Sequence, residues 1–541
     1  MNQDILKQPM VASDEVETKD ETGSSWQTYL PFAIVIVGSF ALLLLRINLG
    51  VDRFISDGAL MMLSLACYMT AAVFYLTNLY APSNYADKLG SWGAGLGVFF
   101  NLSSWLVRWA SAYDREFAIF QEQGKNLAEM PWIFRYVPFA NLYDLSLAFA
   151  FGAGITTLLV IRRPQYKIVA ALALPLAAII LILARFIGDE FIDLPPVLDS
   201  YWRPIHVGIA SLSYGIALVC FAVAVLYLIK DKLKVQKIAI WTSLFAIAVF
   251  ATISKFSIFS FSSFGTYTAS TFVGDSRMSL ALRADIPYVG WLIAASTATL
   301  LGACIAYAVY LSKNNEAARK YGAILMQVSL VIQAAGIGVL IYQLKNLTNI
   351  VSHINPVTQY EKFATWMLQQ ENVPAAEIAG MSSQQLFSIA SQWVQQSGAN
   401  LHLSLNANPV ELAALITAFT ATFFAVLFSF KTEKIREALP SAEKLDSLMY
   451  KLAGVAFAGL ALLLMTGAIW ANESWGRYWG WDSKETGAFV AWLTYGAFLH
   501  SRIAYGWRGR RSAYFAVIAF LFVIFTYLGV SYLLPGLHSY A

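Results

Sequence analysis

Stretches of about 17–25 mostly apolar residues recur along this chain with short polar breaks, the length a helix needs to cross the hydrocarbon of a bilayer. They lie near 29–48, 59–79, 91–110, 141–161, 168–187, 206–229, 238–258, 287–311, 322–344, 409–430, 451–471, 486–501 and 513–533. By hydropathy that makes about 13 transmembrane helices. Backbone inside lipid must satisfy its own hydrogen bonds, so the segments read as helices and the fold class as an all-α polytopic integral membrane protein. Of the 541 residues, 58% are hydrophobic and 13% charged, about half the charge of a soluble domain. So little charge cannot cover a fold in water. A soluble, disordered or secreted disulfide-bonded protein is excluded, and a net charge of +4 gives no reason to expect a nucleic-acid partner.

Basic residues in short loops set the orientation. Arg162, Arg163 and Lys167 form one cluster; Lys230, Lys232, Lys234 and Lys237 a second; Lys313, Arg319 and Lys320 a third. Lys431, Lys434 and Arg436 follow, then Arg502, Arg508, Arg510 and Arg511. With the spans above all of them fall on one side, which is taken as the cytoplasm. The N-terminus is then cytoplasmic and the C-terminus extracytoplasmic. Residues 1–28 carry a net charge of −4 and no basic leader, and read as a disordered cytosolic tail. Cys67, Cys220 and Cys304 sit singly in apolar runs, as buried small hydrophobes do.

The expected outer segments are 111–140, 188–205, 259–286, 345–408, 472–485 and 534–541. Most of their aromatics fit an interfacial belt. One run does not. Residues 475–485 place four large aromatics and two glycines within seven residues, followed by Asp482, Lys484 and Glu485. Glycines permit close backbone approach and indole faces form a flat apolar platform, so the run suits a planar ligand with charged edges. A belt is the alternative. His206 opens a helix at its outer end and His538 follows the last helix, so both flank this loop. His500 lies near the inner end of the helix that leaves it, roughly 22 Å deeper at the rise of an α-helix. Two imidazoles beside an aromatic platform fit axial ligation of haem iron. Zinc is the alternative, but no HxH or HxxxH spacing accompanies them. His353 and His402, in the long 345–408 loop, read as ordinary loop residues.

The run WGRYWGWDSKETGAFVAWLTYGAFLHSR resembles the WWD segment of the CcsA/ResC family of system II cytochrome c biogenesis proteins, part of a wider haem-handling superfamily. Four more stretches resemble that family: VPFANLYDLSLAF, DLPPVLDSYWRPIHVGIASLSYG, LPSAEKLDSLMYK, and the pair GWRGRRSAY and FTYLGVSYLLPGLHSY. Together they cover most of 138–237 and 431–541. The resemblance implies that haem b, carried as cargo, binds against Trp475, Trp479, Trp481 and Asp482, with His206 and His538 as outer axial ligands of its iron. It implies a deeper site at His500. Arg203, Arg477 and Lys484 are candidates to pair the haem propionates, with ordinary interfacial cations as the alternative.

The implied reaction joins the haem vinyl groups to the two thiols of a CxxCH motif in an apocytochrome c. It makes the chain a candidate subunit of a cytochrome c synthase, with a CcsB/ResB-type membrane partner and thiol-reducing maturation factors. No nucleophile or general base of its own is evident, so positioning is the expected contribution. The implied membrane is the bacterial cytoplasmic membrane or a thylakoid-type membrane, with the active site on the extracytoplasmic side. A haem exporter or chaperone that forms no thioethers is the second reading, and an unrelated secondary transporter the third.

The chain departs from the family pattern at Ser483 and Gly487, where Pro and Trp are usual, and at Asp144 in place of Glu. It also carries about 200 extra residues with four spans by the hydropathy count. The expected division is a tail (1–28), N-terminal membrane helices (29–137), a first core part (138–237), an inserted four-helix segment (238–430) with outer loop 345–408, and a second core part (431–541) holding loop 475–485. Within 345–408, EKFATWMLQQ and SSQQLFSIASQWVQQSG read as amphipathic helices, the second capped by Ser382 or Ser383, and the loop is expected to dock a partner or the apocytochrome, with simple structural filling as the alternative.

Overall fold

The computed structural model describes residues 30–50, 54–126, 128, 130–187, 191, 196–198, 200–253, 263–273, 276–286, 288–345, 352–354, 357–370, 373–397, 402–403, 410–429 and 432–530. The expected tail 1–28 and His538 lie outside them. In chain order the helices begin with α1 (Leu30–Leu49), α2 (Asp57–Tyr80), α3 (Asn84–Glu122), α4 (Leu142–Ile161), α5 (Ala170–Ile187), α6 (Trp202–Lys230) and α7 (Val235–Ile253). Then come α8 (Val289–Lys313), α9 (Glu316–Lys345), α10 (Val357–Gln370), α11 (Ala375–Ala379), α12 (Ser383–Ser397), α13 (Val410–Ser429) and α14 (Thr432–Ala438). The last three are α15 (Ala442–Trp475), α16 (Ser483–Ala504) and α17 (Arg510–Ile524).

Every span read from the sequence overlaps one of these helices. Among the described residues nine segments are long and apolar enough to cross a membrane, ten if α13 and α14, bent by 86°, count as one. The protein is an integral membrane protein. The difference from the hydropathy reading lies in α3, α7, α13 and α16. Polar side chains such as Asp87, Arg108 and Asp114 interrupt α3, the apolar part of α7 is short, and α16 carries charge at both ends.

Two of the expected outer segments hold a small antiparallel sheet. Its strands β1 (Ser263–Val273), β2 (Ser276–Ile286), β3 (Ser352–Ile354) and β4 (His402–Leu403) run in the order β3-β2-β1-β4. His353 pairs with Arg283 and His402 with Ser270 through the backbone. The two expected amphipathic helices are α10 and α12. Around Phe363, Met367, Ile378 and Leu386 they close a small apolar core with α11. The Ser382 hydroxyl accepts from the Gln385 N–H and the Gln385 side chain accepts from the Ser382 N–H, a reciprocal cap.

The main core gathers α2–α6 with α15–α17, and a second core is built from α7, α8, α9 and α13. In the first, α15 lies along α6, and α4 packs between α5 and α6. Polar contacts join the ends that carry the basic clusters. Lys230 Nζ donates to the carbonyls of Arg436 (2.7 Å) and Leu439 (2.9 Å), Arg510 Nε to Asp231 (2.7 Å), and the Tyr166 hydroxyl to the Lys444 carbonyl (3.3 Å). Asp446, early in α15, binds the Arg502 guanidinium at the far end of α16 (Arg502 Nη1 at 2.8 Å) and accepts from the Gly509 N–H (3.0 Å). This clamp makes α15 and α16 an antiparallel hairpin and sends the tryptophan-rich loop to the opposite end of the bundle.

At that opposite end sits a buried ion cluster. Arg108 of α3 lies 2.5 Å from Asp144 and 3.6 Å from Asp57, and the Tyr143 hydroxyl donates to Asp57 at 3.1 Å. Asp144 also accepts from the Ala140 N–H, while Asn141 caps α4 by accepting from the Asp144 N–H. The cluster fixes where α4 begins, and with it one wall of the cavity described next.

Candidate functional site

An open cavity lies between the ends of α4, α6, α15 and α16 that face away from the basic clusters. The first turns of α6 bring in Arg203 and His206, the last turns of α15 bring Gly467, Trp470 and Trp475, and the loop and α16 bring Tyr478, Trp479, Lys484 and Glu485. Tyr214 and Tyr527 also line it. The lining is mostly apolar and aromatic with a few polar groups, the build of a site for an organic ligand.

His206 meets α15 side-on. Its Nδ1 lies 3.0 Å from the Leu463 carbonyl oxygen and 3.4 Å from the Thr466 hydroxyl. A carbonyl only accepts, so Nδ1 carries the hydrogen, and in the uncharged tautomer with that hydrogen the lone pair lies on Nε2, the atom a metal takes. Position 467 must be glycine for this: a Cβ there would stand 2.7 Å from His206 Cε1 and 3.0 Å from Nδ1. Trp470 packs on the imidazole at 5.7 Å between ring centroids, tilted by 48°.

The loop is built by two helix ends. Gly476 stops α15 at φ +68°, where a side chain is disfavoured, and donates to the Asn472 carbonyl. Asp482 starts α16: its carboxylate accepts from the Lys484 N–H at 2.9 Å, and Glu485 reaches back to accept from the Asp482 N–H (3.2 Å) and the Gly480 N–H (2.9 Å). This capping box is what the acidic residues of the motif do locally. It holds Trp479 over the cavity, and Trp479 packs edge-on to Phe489 (6.0 Å) and Trp481 (5.7 Å). Two cations stand at the rim. Arg203, largely buried, donates to the Arg135 carbonyl at 2.8 Å. Burial pushes the Lys484 ammonium down to about 8, and the Asp482 carboxylate pulls the other way.

Comparison with known proteins gives the site a family. Residues 139–277 and 379–538 match the family model described as "Cytochrome C assembly protein", which covers more than half of the chain. The chain belongs to the cytochrome c assembly protein family. A "Cytochrome c biogenesis protein CcsA" of Prochlorococcus marinus subsp. pastoris is 44% identical over 137 residues, 25% of this chain and 43% of that protein. The CcsA of Gloeobacter violaceus is 50% identical over 99 residues, 18% of this chain and 29% of its own. That of Parasynechococcus marenigrum is 49% identical over 102 residues, 19% and 33% respectively. The aligned part thus spans less than half the length of these curated relatives. These matches bear out the CcsA/ResC resemblance seen in the motifs.

Within this family fold the expected site residues separate. His206, Trp475 and Trp479 come together at the cavity, with Arg203 and Lys484. Trp481 stands outside it, 70% exposed and at φ +55°, and Asp482 is buried as the helix cap. Arg477 is exposed. His500 sits at the other end of α16, exposed and edge-on to Tyr505 at 5.7 Å. Among the described residues no three His, Cys, Asp or Glu side chains are grouped to hold a metal ion, so the zinc alternative finds no ligand set there. Sequence reasoning missed Trp470, Tyr214 and Tyr527. Trp470 looked like part of a span, yet Leu463, Gly467 and Trp470 recur at helical spacing just ahead of the loop. Tyr527 is turned toward the cavity by a π-helical turn, Phe525–Gly529, of a kind common at functional sites.

Proposed function

We propose that this protein acts in cytochrome c biogenesis, holding haem b as cargo in the cavity between α6, α15 and α16 and presenting it to an apocytochrome c. The observation that carries this reading is His206: an imidazole held through Nδ1 by the Leu463 carbonyl, with Nε2 as the proposed metal-binding atom, in an aromatic cavity also lined by two cations. The second axial ligand in this proposal is His538. Trp475 and Trp479 hold the ring plane, and Arg203 and Lys484 face the propionates. What the chain's residues do is position. With the ring fixed and its vinyl edge outward, each CxxCH thiol adds across one vinyl group, sulfur to one carbon and hydrogen to the other, with no net oxidation. His500, on the same helix but at its far end, is proposed as the deeper site on the entry route.

The proposed partner is a CcsB/ResB-type membrane protein, and the cavity opens on the extracytoplasmic side of a bacterial cytoplasmic or thylakoid-type membrane. The meeting of basic clusters at the opposite end of the bundle supports that side. Residues 238–430 are proposed to be an inserted unit. Support comes from the separate core of α7, α8, α9 and α13 and from the unmatched stretch 278–378 that lies inside it.

The test is the absorption spectrum of the purified chain beside His206→Ala, His538→Ala and His500→Ala. A bis-histidine haem spectrum lost or altered in the two outer variants is the expected result, with lower haem content in His500→Ala. A chain that carries no haem even with a CcsB-type partner coexpressed overturns the reading. Coexpression with an apocytochrome then distinguishes thioether formation from haem handover alone.

A further inference from the structure

One turn of α15 forms a seat for the His206 ring. Gly467 leaves the gap, Trp470 packs its indole against the imidazole, and the Leu463 carbonyl lies 3.0 Å from Nδ1. The Thr466 hydroxyl lies 3.4 Å from the same Nδ1. Its role follows from counting hydrogens. A threonine hydroxyl has one hydrogen and two lone pairs. The hydrogen is used within the helix, where Thr466 Oγ1 donates to the Leu462 carbonyl at 2.8 Å; the Leu463 carbonyl, at 3.2 Å, is the more distant acceptor. Nδ1 carries a hydrogen of its own, because the Leu463 carbonyl beside it can only accept. A lone pair of Thr466 therefore meets the Nδ1–H, which two acceptors share. By donating to a carbonyl the hydroxyl also becomes a better acceptor, since hydrogen bonds in a chain polarise one another.

Resting on the haem reading above, we propose that Thr466 is a positioning residue for His206: its hydroxyl oxygen accepts from Nδ1–H beside the Leu463 carbonyl, fixes the rotation of the ring and makes Nε2 a stronger donor to the haem iron. A partner on the non-ligating nitrogen sets both the orientation and the basicity of a ligating histidine. A more basic imidazole stabilises the more highly charged iron, so the site holds its cargo preferentially in the ferric state. Thr466 is not one of the described residues that line the cavity; it acts through His206.

The experiment compares the purified full chain with Thr466→Val, which keeps the branched shape and removes the acceptor, and with Thr466→Ser, which keeps the hydroxyl. Haem is titrated into each in the ferric and in the ferrous state. The ratio of ferric to ferrous affinity is expected to fall about 3-fold in Thr466→Val, less than the roughly 10-fold for losing a sole partner because the Leu463 carbonyl remains. That change raises the one-electron midpoint potential by about 30 mV. Thr466→Ser is expected to stay at the wild-type ratio. In a His538→Ala background, where His206 is the axial ligand left to ferrous haem at this site, the iron–imidazole stretch in resonance Raman is expected to move to lower frequency with Thr466→Val and to return with Thr466→Ser. Equal weakening of ferric and ferrous haem in Thr466→Val, not restored by serine, means a packing role and overturns the proposal, as does an unchanged ratio with an unchanged stretch. A wild-type chain that binds no haem, or a haem spectrum that His206→Ala leaves unaltered, breaks the haem reading itself, and this inference falls with it.

Discussion

The end of the bundle away from the basic clusters holds two buried polar clusters, and they are built on opposite plans. Around Arg108, the guanidinium faces Asp144 and Asp57, Tyr143 donates to Asp57, and the Ala140 N–H donates to Asp144. That cluster pairs its cation with carboxylates inside the bundle. Around His206, Nδ1 is satisfied by a carbonyl, and aromatic walls enclose a cavity beside the ring. A charge-paired cluster sets the position of the backbone, and one built around a cavity leaves room for a ligand. The difference separates scaffold from site using the same kinds of residue a few turns apart.

The contrast breaks most sharply at Arg108. Arg108→Met leaves two buried carboxylates without their cation, which costs about 3–5 kcal/mol. A large drop in the thermal midpoint of the detergent-solubilised protein is expected, with or without porphyrin. Gly467→Val drives a side chain into the His206 ring, 2.7 Å from a Cβ at that position. Overpacking of that kind costs about 1–3 kcal/mol, and porphyrin titration is expected to show a larger loss in haem binding than in melting temperature.

Lys484→Met is expected to give about 10-fold weaker haem retention for the loss of one charge-assisted contact. Its pH profile sharpens the point. A lysine held down to about 8 is charged below that pH and neutral above it, where an ordinary lysine stays charged to about 10. Haem affinity of the wild type is therefore expected to fall as pH rises from about 8, and that of Lys484→Met to stay flat across the window. For the empty chain the sign is opposite: the folded state disfavours the charged ammonium, so stability rises between pH 8 and 10 in the wild type only. Asp482→Ala is the smallest change. It removes an N-cap worth about 1 kcal/mol and is expected to lower the melting temperature slightly and loosen the tryptophan loop, seen as a change in tryptophan fluorescence.

Membrane helices and the tryptophan-rich motif were legible because their signals are local. An apolar run of spanning length and a dense Trp-Gly run need no knowledge of what packs against them, although α3 (Asn84–Glu122) and α15 (Ala442–Trp475) run well beyond the spans read at 91–110 and 451–471. Local rules also reached the Ser382 cap. They did not reach the sheet, whose strands 263–273 and 276–286 lie in a segment read only as an outer loop. Nor did they sort the tryptophans. Trp475, Trp479 and Trp481 share one motif, yet two line the cavity and the third stands in solvent at positive φ.

By itself the sequence determined that this chain is a helical membrane protein and which family motifs it carries, and it paired His206 with an aromatic loop as a candidate site. Hydropathy and motif composition are properties of consecutive residues. Tertiary structure alone decided which imidazole nitrogen holds the hydrogen, which indoles face the cavity, and that Trp470 belongs to the site. His206 and the carbonyl that orients it are 257 positions apart, and only the packing of α6 along α15 brings them within a hydrogen bond.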